Sequence, residues 1–261
     1  MEIVVCVKQV PDTTEVKIDP VTNTLVRQGV PSIVNPFDVN AVEEAIRLKE
    51  KHGGKVTVIS MGPPQAKDAL KECLAMGADA AILISDRAFG GSDTLATSYT
   101  LASAIRKLGK VDMVFFGKQA IDGDTAQVGP ETAEHLGIAQ VTYVAKIDVE
   151  GDVVRAQREH DDGYEIIEVK LPIAVSVVKS INEPRFPTVK GLMKANRAEI
   201  PVWTANDLVV DENRLGLKGS PTKVLKIFTP THRTQGVIIQ KDTAREAVAE
   251  LFQKLSDAKI I

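Results

Sequence analysis

The sequence predicts an α/β fold: a doubly wound, mostly parallel sheet of the Rossmann-like, adenine-nucleotide-binding type, with an antiparallel insertion and an extended C-terminal arm. Two observations support this prediction. Short β-branched runs alternate with longer helical patterns over the first two-thirds of the 261 residues, which is typical of βαβ units and a parallel sheet. Glycines follow two of the helical patterns, at Gly53-Gly54 and Gly77, where they act as helix stop signals.

Four apolar runs predict the parallel strands, and three helical patterns lie between them. The strands are expected at 2–7, 55–60, 80–85 and 111–116, and the helices at 39–51, 64–76 and 94–108. In the first helix the apolar residues recur at helical spacing. The charged residues of that helix are expected to face outward: Glu43, Glu44, Arg47 and Lys49.

From residue 141 the pattern changes to short strands joined by tight turns. Strands at 141–149, 152–158 and 164–169 predict an antiparallel insertion near 141–170, and one more buried strand follows at 173–178. Prolines then interrupt the chain until a final helix near 242–255. We therefore predict a nucleotide-binding domain over residues 1–200 and a C-terminal arm over 201–261 that contacts a partner subunit. A loop-rich layer folded back on the same domain is the alternative.

Composition and motifs exclude several classes of protein. The net charge of −3 gives no indication of a nucleic-acid partner, and charges interrupt every apolar run, so membrane insertion is not expected. The start of the chain does not resemble a signal peptide, and Cys6 and Cys73 lie in apolar segments, which suits buried thiols in the cytoplasm. Neither a Gly-Lys-Ser/Thr phosphate loop nor a glycine-rich dinucleotide fingerprint is present. The histidines are scattered, so we expect no metal site and no catalytic residue.

The loop after the fourth strand is the richest in candidate ligand contacts. It runs from Gly117 to Pro130 and meets a predicted helix. Backbone amides of its glycine turns and the helix N-terminus can hold a diphosphate, and Gly123 lets the backbone approach a ligand closely. Asp122 and Asp124 would repel phosphate, so we expect them to point at hydroxyls or backbone amides. A solvated surface loop rich in turn-forming residues is the alternative interpretation.

The loop after the third strand leads into a helix through Ser92, Asp93 and Thr94. Helix capping alone explains Ser92 and Asp93. Thr94 and Thr97 place two hydroxyls one turn apart, an arrangement that can address a ring system lying over the crevice. Ligands of parallel sheets bind beyond the carboxyl ends of the strands, where these loops are expected to converge.

Together these loops closely resemble the beta (small) subunit of electron-transfer flavoprotein. The resemblance extends from the first strand to about residue 200 and is weaker beyond it. Five segments support it, in this order along the chain: Val7-Lys8-Gln9-Val10-Pro11, Asn35-Pro36-Phe37-Asp38, Ala75-Met76-Gly77-Ala78-Asp79, Gly117-Lys118-Gln119-Ala120-Ile121-Asp122 and Asn182-Glu183-Pro184-Arg185-Phe186.

The resemblance implies a heterodimer with an alpha subunit that holds one FAD, while the beta subunit binds a second nucleotide. This nucleotide is AMP in simple carriers and a second FAD in electron-bifurcating members. The family's nucleotide contacts fall on Cys6, Asn35, Asp38, Met61, Gly117, Gln119, Asp122, Gly123, Asp124, Thr125, Ala126, Gln127 and Val128. The flavin-ring contacts of bifurcating members map to Asp93, Thr94 and Thr97.

The runs 92–97 and 122–130 look like the bifurcating group. That likeness implies FAD rather than AMP, with NADH as hydride donor and the electron pair divided between two acceptors. One is a low-potential carrier such as ferredoxin or flavodoxin. The other is an acyl-CoA dehydrogenase or related flavin dehydrogenase, reached through the alpha-subunit FAD.

The resemblance also maps partner contacts onto three residues outside the crevice. Glu159 aligns with a glutamate that faces the alpha-subunit flavin, and a solvated strand charge is the alternative. Arg185 and Val189 fall in the family's recognition loop, with valine in place of the usual leucine anchor. A rival class, ATP-binding proteins of the stress-protein or ATP-pyrophosphatase type, shares this kind of sheet. Its pyrophosphatase form needs a serine- and glycine-rich loop after the first strand, where this chain has residues 8–11.

Overall fold

A computed structural model describes residues 1–12, 31–225 and 236–261. The chain forms two compact units, Met1–Leu225 and Lys226–Ile261. The described strands are β1 (Glu2–Cys6), β2 (Gln9–Pro11), β3 (Ser32–Val34), β4 (Lys55–Met61), β5 (Ala80–Ile84), β6 (Met113–Gly117), β7 (Ala139–Glu150), β8 (Val153–His160), β9 (Gly163–Lys170), β10 (Ile173–Val177) and β11 (Val202–Trp203). The described helices are α1 (Pro36–His52), α2 (Lys67–Met76), α3 (Thr94–Leu108), α4 (Val128–Leu136), α5 (Val189–Arg197), α6 (Gly216–Gly219) and α7 (Ala244–Asp257).

Within residues 1–225, nine of the described strands form one sheet, in the order β11-β5-β4-β1-β6-β10-β7-β8-β9. The strands from β11 to β7 pair in parallel; Val4 of β1, for example, lies opposite Thr57 of β4 on one side and Val114 of β6 on the other. Strand β7 pairs in parallel with β10 and antiparallel with β8. The antiparallel insertion therefore extends the sheet from its edge.

Helices cover both faces of the parallel part of the sheet, and each face has its own apolar core. One core contains Phe115, Ile46 and Leu70, from β6, α1 and α2. The other contains Ile59, Leu101 and Ala133, from β4, α3 and α4. The doubly wound α/β fold expected from the sequence is thereby confirmed. No helix in the described parts of the chain is long and apolar enough to cross a membrane.

The structure differs from the expected elements in several places. The helix expected from Pro64 begins with a 3₁₀ turn, and α-helix starts at Lys67. Glu43 and Glu44 are buried, which contradicts the expectation that they face outward. The two-stranded pair β2–β3 and the two-residue strand β11 were not expected.

Residues 201–225, expected to begin the C-terminal arm, belong to the first compact unit. Strand β11 pairs with β5, and Leu208 and Leu215 lie in the second core. This stretch is a loop-rich layer folded on the sheet, as in the alternative interpretation. In the second unit, α7 corresponds to the final helix expected from the sequence.

Candidate functional site

The crevice at the carboxyl ends of β1 and β6 is the topological switch point of the sheet. The chain runs from β1 outward to β4 and β5, then returns to β6 on the other side of β1. The loops after β1 and β6 therefore diverge and leave a cleft, the usual ligand position in such sheets.

Asp38, in the first turn of α1, joins these two loops from beneath. Its carboxylate accepts hydrogen bonds from the backbone N–H of Lys8, at 2.7 Å, and of Gly117, at 3.0 Å. Burial raises the pKa of the Asp38 carboxyl to about 7, although the hydrogen bonds from Asn35, Lys8 and Gly117 oppose this shift. Burial, and secondly the charge of Asp38, raise the pKa of the Cys6 thiol well above its usual value. Cys6 and Asp38 are thus neighbours in the floor of the crevice.

Asn35 connects the same loops one turn earlier. Its backbone N–H donates to Lys8 O at 2.8 Å, and its side-chain amide donates to Gln119 O at 2.8 Å. The Asn35 side-chain oxygen accepts from the N–H of Ile121 at 3.1 Å. Asn35 is fully buried, so it fixes the loop after β6 and leaves the outer surface of that loop for a ligand.

The loop from Lys118 to Gln127 carries most of the predicted nucleotide contacts, and its glycines have opposite surroundings. A Cβ on Gly117 would lie 2.6 Å from Phe37 Cβ and would overlap the Asp38 carboxylate, so only glycine fits there. A Cβ on Gly123 would meet no atom within 4 Å. Gly123 therefore borders open space, where a ligand can approach the backbone closely.

The two aspartates of this loop pair with side chains rather than with hydroxyls or backbone amides. Asp122 forms an ion pair with Lys8 at 2.6 Å, and Asp124 accepts from the Gln119 amide at 2.7 Å. The expectation for their orientation is therefore wrong, because Lys8 and Gln119 are near enough to pair with them. Asp124 and Ala126 adopt positive φ values of 51° and 53°. Thr125 is exposed, and Val128 begins α4.

The N-terminus of α3 is held by Asp93. Its carboxylate accepts from the N–H of Ala96 at 3.1 Å and from the N–H and hydroxyl of Thr222 at 3.1 and 2.8 Å. Partial burial acts to raise the pKa of Asp93, but these hydrogen bonds together lower it. The Asp93 carboxylate thus caps α3 and also binds Thr222. The first of these contacts is the helix cap expected from the sequence.

Thr94 links α3 to the loop after β6. Its hydroxyl donates to Glu131 Oε1 at 3.2 Å and lies 3.4 Å from Gln127 Oε1. The half-buried Thr97 lies one turn further along α3, and its N–H donates to Asp93 O at 3.0 Å. The structure therefore brings the predicted Thr94 hydroxyl next to Gln127 of the 117–128 loop. Met61, half-buried at the end of β4, packs against the core beneath α3.

Glu131 is a residue of this cluster that sequence reasoning missed. Its Oε2 atom is buried and has no hydrogen-bond partner among the described residues. Burial raises the pKa of Glu131, although the hydrogen bond from Thr94 opposes the shift. Buried polar atoms are nearly always satisfied, so this oxygen can accept from a group outside the described residues, either a water molecule or a ligand donor. Its position in the first turn of α4, next to the glycine loop, was the available signal.

The three predicted partner contacts lie away from the crevice on other elements. Glu159, exposed on β8, accepts from the Ser180 hydroxyl at 2.9 Å. Arg185 forms ion pairs with Glu43 at 2.8 Å and with Glu50 at 2.6 Å. Val189 begins α5 and is 76% exposed, close in sequence to Phe186, which is 92% exposed.

The crevice thus offers backbone N–H groups, neutral side-chain donors and acceptors and an open glycine, set on a rigid floor. These groups fit a nucleotide and its ring system. In the described ranges no three His, Cys, Asp or Glu residues are grouped so that they could hold a metal ion. The arrangement can bind and orient a cofactor that performs the chemistry itself.

Comparison with known proteins gives matches over the full chain. The family model of the electron transfer flavoprotein domain matches residues 22–208. The chain is 58% identical to an electron transfer flavoprotein subunit beta of Clostridium acetobutylicum over 261 residues, covering 100% of each chain. It is 50% identical to the caffeyl-CoA reductase-Etf complex subunit CarD of Acetobacterium woodii, again covering 100% of each. It is 46% identical to the protein FixA of Azorhizobium caulinodans, covering 97% of this chain and 95% of FixA.

Proposed function

This chain belongs to the electron transfer flavoprotein family as a beta subunit, and on that premise we propose that it binds FAD in the crevice between β1 and β6 and presents it to NADH. It works as half of a cytoplasmic heterodimer whose alpha subunit holds a second FAD. The electron pair of NADH is divided between a low-potential carrier, ferredoxin or flavodoxin, and a partner flavin dehydrogenase. The dehydrogenase receives its electron through the alpha subunit.

The observation that supports this proposal is the contact of Thr94 with Gln127 and Glu131. It unites the residues that resemble flavin-ring contacts with the loop that resembles a nucleotide site. Because Glu131 Oε2 is buried without a partner in the described chain, the cluster retains an acceptor for a ligand N–H or O–H group. AMP has only its adenine ring and lacks the second, flavin ring that FAD could extend from the loop to this cluster.

Bound FAD supplies hydride acceptance and one-electron transfer. The chain's own residues bind and orient it. Asn35 and Asp38 keep the loops after β1 and β6 in register, and the N-terminus of α4 favours a diphosphate. Thr94, Thr97 and Gln127 provide neutral hydrogen-bonding groups for the ring. Gly123 leaves room for the nicotinamide.

Partner contacts are assigned to surfaces outside the crevice. Glu159 on β8 faces the alpha subunit in this proposal. Val189, held next to the Arg185 ion pairs, is the apolar anchor for the partner dehydrogenase. An exposed aliphatic side chain beside a rigid charged anchor suits a transient docking surface.

The deciding measurement is the flavin and AMP content of the complex purified with its alpha subunit. Two FAD and no AMP per heterodimer are expected. One FAD with one AMP would replace this proposal with a simple carrier in which AMP fills the crevice. Absence of any flavin from the assembled complex would contradict both.

A substitution at Gly123 tests the position of NADH. Because the space beside Gly123 is open, Gly123→Trp should leave the fold and the flavin content intact but occupy the place of the nicotinamide. We expect the rate of flavin reduction by NADH to fall by about 100-fold or more. Gly123→Ala is the control and should be reduced at a rate close to that of the parent. A tryptophan variant that keeps its flavin and is reduced at the parental rate would rule out this placement.

A further inference from the structure

A cavity of about 350 Å³ lies beside the first turns of α3, outside the crevice already described. Leu95 and Tyr99 of α3 form one wall, and residues 213–214 and 218–221 form the other. Ligand sites for small molecules typically start at about 300 Å³, so a single nucleoside diphosphate is of the right size.

The second wall is fixed against α3. Tyr99 Oη accepts from the N–H of Asp211 at 2.8 Å, and the Arg214 guanidinium lies 3.8 Å from the centre of the Tyr99 ring. A Cβ on Gly219 would lie 2.7 Å from Arg214 Cα, so the turn around the cavity packs closely. Leu215, only 3% exposed, anchors this segment in the core.

Two cations face this cavity without a carboxylate to neutralise them. Among the described residues, neither Arg214 nor Lys218 is in ion-pair distance of an acidic group. Asp211 accepts a hydrogen bond from Asn213 at 2.9 Å, and Asp93 accepts one from Thr222. Burial, followed by the charges of Arg214 and Arg106, lowers the pKa of the neighbouring His135. Within the described residues no carboxylate takes up the N–H donors of Arg214 and Lys218, and these donors can pair with an anion.

The wall of the cavity adjoins the N-terminus of α3, which carries the proposed flavin-ring contacts. Ser220, in its wall, accepts from the N–H of Asp93 at 2.8 Å, and Leu95 follows Thr94 directly. A dinucleotide whose nicotinamide lies beside the flavin ring needs a site of this kind for its second half. The aliphatic and aromatic wall suits a nucleoside, and the two cations suit its phosphates.

We propose that this cavity binds a nucleoside diphosphate group, with the phosphates paired to Arg214 and Lys218. The identity of this group rests on the proposed function, because the group would be the adenosine diphosphate half of the hydride donor. It adds a binding subsite to the crevice and makes Arg214 and Lys218 determinants of donor affinity.

The test is calorimetric binding of ADP-ribose to the complex with its alpha subunit. ADP-ribose carries the diphosphate but no nicotinamide, so it reports the cavity without reducing a flavin. We expect Arg214→Gln and Lys218→Gln each to raise Kd by about tenfold, the usual loss for one charge-assisted hydrogen bond. Lys218 is exposed, so its substitution should not affect folding. The matched control, Lys55→Gln, changes an exposed lysine at the start of β4, at the amino ends of the parallel strands.

Each outcome decides the inference separately from the proposed function. Failure of the parent complex to bind ADP-ribose, or an unchanged Kd in both variants, overturns the cavity assignment even if NADH reduces the flavin. Weakened binding in both variants but not in Lys55→Gln supports the assignment. The assignment would then stand even if the complex contained AMP in place of a second FAD, whereas the proposed function would fall.

Discussion

Asp38 combines full burial with two backbone hydrogen bonds, and these have opposite effects on its charge. Removal from water favours the protonated form, whereas the N–H groups of Lys8 and Gly117 favour the carboxylate. Burial dominates and raises the pKa of the carboxyl to about 7. The residue that holds the crevice together therefore titrates near neutral pH.

Replacing Asp38 with asparagine should change how stability depends on pH. The folded chain keeps a proton on Asp38 up to about pH 7, whereas the unfolded chain releases it near 3.8, the ordinary value for an aspartate. The stability contributed by the protonated form is fully present below the unfolded pKa and is lost as pH rises through the folded pKa. The free energy of unfolding of Asp38→Asn minus that of the parent should therefore increase by up to about 4 kcal/mol between about pH 4 and pH 7.

Denaturant unfolding of the complex across this range measures that difference. Asp86→Asn is a control of opposite sign, because hydrogen bonds from the N–H groups of Ala88 and Ala205 lower the pKa of Asp86. The stability from Asp86 is present above its unfolded pKa and is lost as pH falls. A difference for Asp38→Asn that does not vary with pH would contradict the assigned titration.

The candidate site residues differ in how far the sequence alone could indicate their contacts. Asp38 and Asn35 were identified through family resemblance alone, since their partners lie 30 to 86 residues away and are mostly backbone groups. Gly123 was predicted to let the backbone approach a ligand closely, and the structure shows open space beside it. Glu131 was missed because a glutamate in the first turn of a helix is ordinary. Its place next to the glycine loop was the one signal in the sequence, and the contact with Thr94 is visible only in the structure.

At the scale of elements, α1 has an acidic side that is buried rather than solvated. Glu43 is 2% exposed and is paired with Arg47 and Arg185, and Glu44 accepts from Asn182 at 2.8 Å. The amphipathic pattern of α1 could not predict this, because Asn182 and Arg185 come about 140 positions later in the chain. The ion pairs fasten the segment before α5 to α1. This segment carries Phe186 and leads into Val189, the first residue of α5.

Arg185→Gln should loosen this segment. Glu43 would lose one of its two cationic partners while remaining buried, at a cost of about 2 kcal/mol in the free energy of unfolding. The control is Arg155→Gln, because Arg155 and Glu168 are both more than half exposed. Such surface pairs contribute at most about 1 kcal/mol. Thermal unfolding of the complexes measures both changes.

A second measurement on the same variants addresses docking. If the segment presents Val189 to a partner dehydrogenase, Arg185→Gln should also weaken binding of that dehydrogenase while flavin content stays constant. If Arg185→Gln and Arg155→Gln lower the free energy of unfolding equally, the burial of Glu43 does not depend on its ion pair with Arg185.

The parallel strands of the sheet were predictable because each is a continuous buried apolar run. Strands β1, β4, β5 and β6 have this pattern, and their expected bounds differ from the observed ones by only a few residues. Strand β11 has two residues and β2 and β3 have three each, too few for a periodic signal. Helix α5 was expected as a loop because a proline precedes it closely.

At the scale of the whole molecule, the chain separates a sheet with its crevice from a terminal unit that contains α7. The sequence shows that periodicity is lost after residue 180. It does not show at which residue the chain stops packing on the sheet. Residues 201–225 join the first unit through β11 and two buried leucines. These contacts join residues that are far apart in the sequence, and a local sequence pattern cannot predict them.

Helix α7 exposes an apolar face that a partner would cover. Val248, Leu251 and Phe252 lie on one side of the helix at helical spacing and are 64%, 47% and 63% exposed. Thr243 caps the helix and accepts from the N–H of Glu246, so the helix has its own start signal. We propose that this face contacts the alpha subunit, as expected for the C-terminal arm.

Phe252→Gln should therefore weaken the heterodimer without unfolding the sheet, which has its own cores. Burial of a phenylalanine contributes about 1.5 to 3 kcal/mol, so the dissociation constant for the alpha subunit should rise about 10- to 100-fold. The matched control is Glu250→Gln, which places the same residue on the opposite side of α7, where Glu250 pairs with Lys241 and Lys254. Sedimentation of both complexes over a range of concentrations measures the constants. If Phe252→Gln associates as tightly as Glu250→Gln, the apolar face is not the alpha-subunit contact, and the arm must be assigned to another surface.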